Sequence, residues 1–490
     1  MKSTTLIPAL ALAITAFAFA ADEPRRGGKK GGAQGKGEGR LPTLLFRTEV
    51  PAQPVDVILG RPTTEGVTLS ILSYEGVEGY VAYGAESGEL TQRTAVQKFA
   101  KSLPVEITLG GLRAGTRYAY EFRSRAAGEG EFRPAMTGAF TTARAPGSEF
   151  VFTVQADPHL DAGTDPEVYK KSLANVLAAR ADFHVDLGDT FMTDKRTDYR
   201  DALPQYLAQR HYFGLVGHSV PVFLVLGNHD GEQPGKGRDS EAMAVWSNAT
   251  RKKYFPNPEP NAFYTGSATP HPKAGLLQNY YAFEWGDALF IALDPYWYSQ
   301  ERGRGGSGDN WGRSLGREQY EWLRATLERS RARFTFVFIH HLVGGETREG
   351  RGGAEAAAFF EWGGRDLDGS DVFAEKRRGW AEPIHSLLVR RRGGVVVFHG
   401  HDHLYVQQER DGVIYQLVPQ PGHARFDNIR SAAEYGYKSG VIQGASGIMR
   451  VNVTPETALV DYVRAYPTQA EDDKRKTGAV THRYTVAPAK

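Results

Sequence analysis

Five short stretches concentrate the side chains able to do chemistry. They read Asp157-Pro158-His159, Gly188-Asp189, Gly227-Asn228-His229-Asp230, His340-His341 and Gly400-His401-Asp402-His403. Each stands at the end of an apolar run: FVFTVQ, FHVDL, VFLVL, FTFVFI and VVVF respectively. Carboxylates neutralise cationic charge and imidazoles offer directional nitrogen donors. Together with an amide, they suit two borderline-hard divalent cations. Taken singly, four of the five have an ordinary explanation, and Gly-His-x-His is the stronger signal for metal. Asp-x-His is a loop pair, Gly-Asp a turn, Gly-Asn-His-Asp a turn or helix cap, and His340 a hydrogen-bonded core histidine. Taken in order, all at strand ends, they predict convergence on one place, because sites in α/β sheets form beyond the carboxyl ends of strands. His399, which opens HGHDH, reads as a strand-end residue whose replacement by Ala leaves metal binding intact.

The elements needed to position these residues are legible. From Phe150 onward, apolar strand-like runs alternate with amphipathic helical stretches such as PEVYKKSLANVLAAR and LGREQYEWLRATLERS. That alternation predicts an α/β layered domain over 148–490. YYAFEWGDALFIALD and GIMRVNVTPETALVDYVRAY read as hairpins that form antiparallel sheet edges. Before it, residues 45–144 carry short alternating runs (VTLSILSY, GYVAYG, VEITLGGL, TRYAYEFRS) punctuated by Gly, Pro and Ser, which predict an antiparallel β-sandwich. Ala-Pro-Gly-Ser at 145–148 marks the boundary between them.

The N-terminus reads as a signal peptide over 1–20, with Lys2, an apolar stretch from Leu6 to Phe19 and a small-residue Ala18-Phe19-Ala20 cleavage pattern. Residues 21–44 form a Gly/Lys/Arg-rich linker. The mature protein is accordingly expected to be secreted or periplasmic. The 490 residues contain no cysteine, which removes thiolate ligands, thiolate nucleophiles and disulfides together. A net charge of +2 dictates neither nucleic acid nor membrane as partner.

The five blocks, in this order, resemble those of the calcineurin-like metallophosphoesterases. That resemblance implies a two-sheet β-sandwich flanked by helices and a site for two metal ions, with Fe, Mn or Zn the favoured candidates. It further implies that one metal takes Asp157, His159, Asp189 and His403, and the other Asp189, Asn228, His340 and His401, with Asp189 bridging. His229 matches the family's histidine near the leaving group, the general acid while a bridging hydroxide attacks phosphorus. The order of a β domain before a catalytic domain resembles purple acid phosphatases, and 112–118 with 140–143 resembles fibronectin type III domains. The first block departs from the purple enzymes, with His159 at its third position. Met192 stands where they carry an iron-binding tyrosine, so a tyrosinate–iron site is not expected. The reading is therefore a phosphohydrolase of small phosphoesters, monoesters foremost. Its competitors are a phosphodiesterase and a non-catalytic adhesion or glycan-binding protein with a structural metal.

Weaker signals remain. The Gly-rich stretch 344–369 reads either as a mobile rim over the metals or as a plain surface loop. Residues 303–313 form another Gly-rich loop. The basic runs 375–380 and 389–394 read as solvated helix ends, with attraction of phosphate as the alternative. Asn248 and Asn452 stand in glycosylation sequons.

Overall fold

The computed structural model describes residues 45–235, 239–299, 310–343 and 351–489. The expected signal peptide and linker lie outside the described residues, as do 303–309 and 344–350. Two sheets face one another across a core of aromatic rings. The six-stranded sheet runs in the order Val222–Leu224, Phe183–Asp186, Phe150–Gln155, Gly447–Val453, Ala458–Arg464, Val480–Val486. Its first three strands are parallel and the rest antiparallel. The eight-stranded sheet is parallel from Ala288–Ala292 through Phe334–Phe338 and Val395–His399 to Val413–Leu417, with antiparallel hairpins at both sides. Phe152, Phe183, Phe290, Phe336, Phe338 and Phe398 fill the space between the sheets. Such rings bury large areas and pack edge to face, as Phe152 does on Phe290 at 5.1 Å and 87°.

Helices cover the outer faces. Arg317–Arg329 and Ile384–Val389 pack on the larger sheet through Leu323, Leu327, Ile384 and Leu388. Pro166–Ala178 and Leu203–Gly217 pack on the smaller through Tyr169, Leu173, Ala208 and Val216. Both expected hairpins form, but Gly447–Val453 pairs inward with Phe150–Gln155, and Val480–Val486 supplies the edge instead. The alternation in Val480–Val486 (VTHRYTV) is mostly polar and exposed, which hid it from a search for apolar runs.

Residues 55–141 form two further antiparallel sheets, one centred on Val67–Ser73 and one on Val77–Ala85 and Arg117–Ala126. Tyr118 is buried, and its hydroxyl accepts the Arg113 amide at 3.0 Å, which satisfies that backbone group. These sheets are not loosely attached, since Leu44–Lys490 make one compact unit. Ile58 and Leu72 share a core with Phe191, Phe213, Val222 and Tyr254.

Several weaker readings change. Residues 353–363 are not a mobile rim: Trp362 is fully buried and its indole donates to Tyr415 at 2.9 Å. In the two basic runs Arg378, Arg390 and Arg392 are exposed near helix ends, as expected, whereas Arg377 pairs with buried Glu361 at 2.5 Å and Arg391 caps the carbonyls of Leu327, Ser330 and Ala332. Asn248 is fully buried, with its amide bonded to Glu232 and to the Leu277 carbonyl, which removes it as a glycan acceptor. Among the described residues no helix is long and apolar enough to cross a membrane.

Candidate metal centre

The strand ends converge as the spacing predicts. Asp157, His159 and His403 form one cluster and Asp189, His340 and His401 a second, each able to bring one donor atom apiece within 4.8 Å of the others. The clusters touch: His159 Nε2 lies 3.6 Å from Asp157 Oδ1 and 3.7 Å from Asp189 Oδ2, and His340 Nε2 lies 3.3 Å from Asp189 Oδ2 and 3.8 Å from Asp157 Oδ1. Asn228 is buried, and the amide of the residue after it donates to Asp189 Oδ1 at 2.8 Å. His399 joins neither cluster. It closes its strand, and burial drops its ring to about 3, which keeps it neutral.

The donor set fits cations. Asp157 Oδ1, His159 Nε2 and His340 Nε2 are all buried without a hydrogen-bond partner, a cost a protein accepts at a functional site. Asp157 and Asp189 are buried carboxylates whose ion-pair partners, among the described residues, are all histidines. Burial pushes both carboxyls up, but the charge of His340 and neighbouring imidazole contacts outweigh it and hold them well below the usual range. The same carboxylates lift His340 to about 9 against the opposite pull of burial. Two anionic groups thus draw positive charge into a buried place, which cations satisfy.

Outer contacts aim the donors. His340 Nδ1 donates to the Leu187 carbonyl at 2.8 Å, and His159 Nδ1 lies 3.3 Å from Asp161, each leaving Nε2 turned toward the carboxylates. The Asp230 carboxylate accepts the backbone N–H groups of Gly227, Asp189, Thr190 and Phe191 at 2.7–3.1 Å, folding two loops around one another. Asp157, His159, Asp189, His401 and His403 all have positive φ, between 22° and 79°. Non-glycine residues avoid that region, and strain of this kind gathers at functional sites. Gly400 serves close approach rather than a turn: a Cβ there would sit 2.8 Å from both Ala156 Cβ and Asp157 Oδ2.

His229 stands at the rim, 19% exposed, with Nε2 3.9 Å from Asp189 Oδ2. Its Nδ1 lies 3.0 Å from Asp194. Asp194 was not singled out in the sequence, although it follows Asp189 by five positions in the same loop. Also unforeseen is the hold on Asp402, between His401 and His403: Arg351 pairs with it and the Tyr437 hydroxyl donates to it at 2.8 Å. His341 is distinct from His340. Its Nδ1 meets the Tyr296 hydroxyl at 2.6 Å, and its ring lies 5.1 Å from that of His401.

A two-sheet sandwich whose parallel strand ends hold paired Asp/His clusters is the architecture of a metal-dependent phosphoester hydrolase. The calcineurin-like phosphoesterase family model matches residues 150–405, and the chain belongs to that family. Among solved structures, PhoD is similar over 89% of this chain and 90% of its own, with a TM-score of 0.60 and 15% identity. The purple acid phosphatase PPD1 from yellow lupin (Lupinus luteus) seeds is similar over 88% of this chain and 74% of its own, with a TM-score of 0.56 and 13% identity. At these identities the likeness is one of fold. No curated protein matches the chain.

Proposed function

We propose that the protein is an exported dinuclear-metal phosphohydrolase acting foremost on small phosphate monoesters. The observation that carries this is the meeting of the two Asp/His clusters beside the rim pair His229–Asp194. Asp157, His159, Asp189 and His403 would hold one ion, and Asp189, Asn228, His340 and His401 the other. Such ions, Fe, Mn or Zn by donor type, acidify water at neutral pH and offset the charge of phosphate oxygens. The chain does the rest. Asp189 ties the two clusters, and the His229 amide holds one of its oxygens in place. Asp194 engages His229 Nδ1, which leaves Nε2 to pass a proton to the departing alkoxide. Export is supported by the N-terminal sequence.

The test is a substrate panel on mature protein, stripped and refilled with single metals. A phenyl monoester is expected to turn over faster than the matching diester. The reverse order would move the assignment to phosphodiesterase, and turnover of neither by any metallated form would overturn the enzymatic reading.

A further inference from the structure

The helix Leu203–Gly217 buries more polarity than packing requires. Gln205, Gln209 and Arg210 are all fully buried on it. Burying such groups is costly unless they are bonded, so their partners indicate their use. Gln205 Nε2 donates to the His159 carbonyl and, at 3.4 Å, to that of Thr190; Gln209 Nε2 donates to the Thr190 carbonyl at 2.9 Å. His159 and Thr190 lie in two different loops, one carrying Asp157 and the other Asp189. Two side chains of one helix therefore grip both metal loops by their backbones.

The next residue grips the N-terminal sheets. Arg210 Nε donates to Asp56 Oδ1 at 2.6 Å, and its Nη atoms reach the Ser70 hydroxyl at 3.0 Å and the Ser70 carbonyl at 2.7 Å. Tyr74 donates to the other Asp56 oxygen at 2.8 Å. The helix lies close against the strand Val55–Gly60: a Cβ on Gly214 would come within 3.2 Å of Asp56 Cβ, and one on Gly217 within 3.3 Å of Ile58 Cα.

We propose that Gln205 and Gln209 are positioning residues for the metal centre, and that the N-terminal sheets, locked to their helix through Asp56–Arg210, brace the spacing of its two loops. This rests on the metal-centre reading above. The physical need is the strained backbone. Asp157, His159, Leu160 and Asp189 have positive φ, and such conformations persist only where the surroundings over-determine them. The glutamine amides fix the carbonyl of His159 and of Thr190, which lie within and directly beside those strained positions. The N-terminal domain is then a working part of the site.

Full-length Gln205→Met, Gln209→Met and the double variant test this, since methionine keeps length and loses the donor. Mn2+ binding is measured calorimetrically without substrate, and coupling between two Mn2+ ions by electron paramagnetic resonance. The double variant is expected to bind Mn2+ about 10- to 100-fold more weakly, as other losses of outer support do, and to lose the coupled signal. Its kcat on p-nitrophenyl phosphate is expected to fall while KM stays nearly constant. Asp56→Asn should move the same readouts the same way. Hydrogen exchange on the wild-type chain guards against misfolded variants: Mn2+ should slow exchange in Leu203–Gly217 and Val55–Gly60. A folded double variant with wild-type affinity and coupling, or exchange in both elements unmoved by Mn2+, would overturn the brace. A wild-type chain that binds neither Mn2+ nor Zn2+ would instead overturn the metal-centre reading.

Discussion

At the scale of single residues, His229 is the side chain with the clearest separate duty. It is partly exposed, it faces the shared carboxylate without joining either cluster, and Asp194 engages its inner nitrogen. A proton donor matters most when the leaving group is a poor one. His229→Ala is therefore expected to lose about 10²- to 10⁴-fold in kcat on an alkyl phosphate and far less on p-nitrophenyl phosphate. Equal losses on both would reject the role. His399 offers the complementary case. It lies outside both clusters, so His399→Ala should retain wild-type metal stoichiometry by elemental analysis; a missing ion would return it to the ligand set.

At the scale of elements, two loops are folded around a single carboxylate. Asp230 takes four backbone N–H groups, and burial with nearby Asp189 raises it to about 6. Asp230→Ala strands those donors in a dry place. The expected cost is about 3 kcal/mol or more in urea unfolding, since each orphaned buried donor costs about 1–3 kcal/mol; a cost below about 1 kcal/mol would show that water or relaxation replaces the carboxylate. Gly400→Ala acts on the same elements differently. The added methyl meets Ala156 and Asp157 at 2.8 Å, so the strand end must shift, and metal affinity should drop with little change in overall secondary structure by circular dichroism. Unchanged affinity would mean that the strand end moves freely, against the tight contact described.

At the scale of the whole molecule, stability should depend on acid in a particular way. His184 sits fully buried in a central strand, where burial holds its ring down to about 3 although Thr153 opposes it. The folded chain keeps it neutral, while the unfolded chain protonates it near 6.5. Because the unfolded state binds the extra proton, stability falls as pH drops from about 6.5 toward 3, by about 1.4 kcal/mol per pH unit for this group. His184→Gln should flatten that slope by one proton; parallel curves for the two proteins would reject the assignment.

The sequence alone indicated the candidate donors and the order of elements. Each block is local: an apolar run followed at once by Asp, Asn or His, with period and composition enough to show a strand and its end. Five such ends in this order point to one place, which is why Asp157, His159, Asp189, His340, His401 and His403 were legible as candidate donors before any coordinates. The parts that only tertiary structure decided are contacts between positions distant along the chain. Gln205 meets His159 across 46 residues, Arg210 meets Asp56 across 154, and Arg351 meets Asp402 across 51. No local pattern marks a glutamine that will hold a carbonyl elsewhere, or a buried arginine that will bind the N-terminal sheets. Asp194 lies between these cases, near Asp189 in sequence, yet visible as the partner of His229 only once two loops fold together. Donor chemistry is written residue by residue, whereas the restraint that spaces the donors arises from packing.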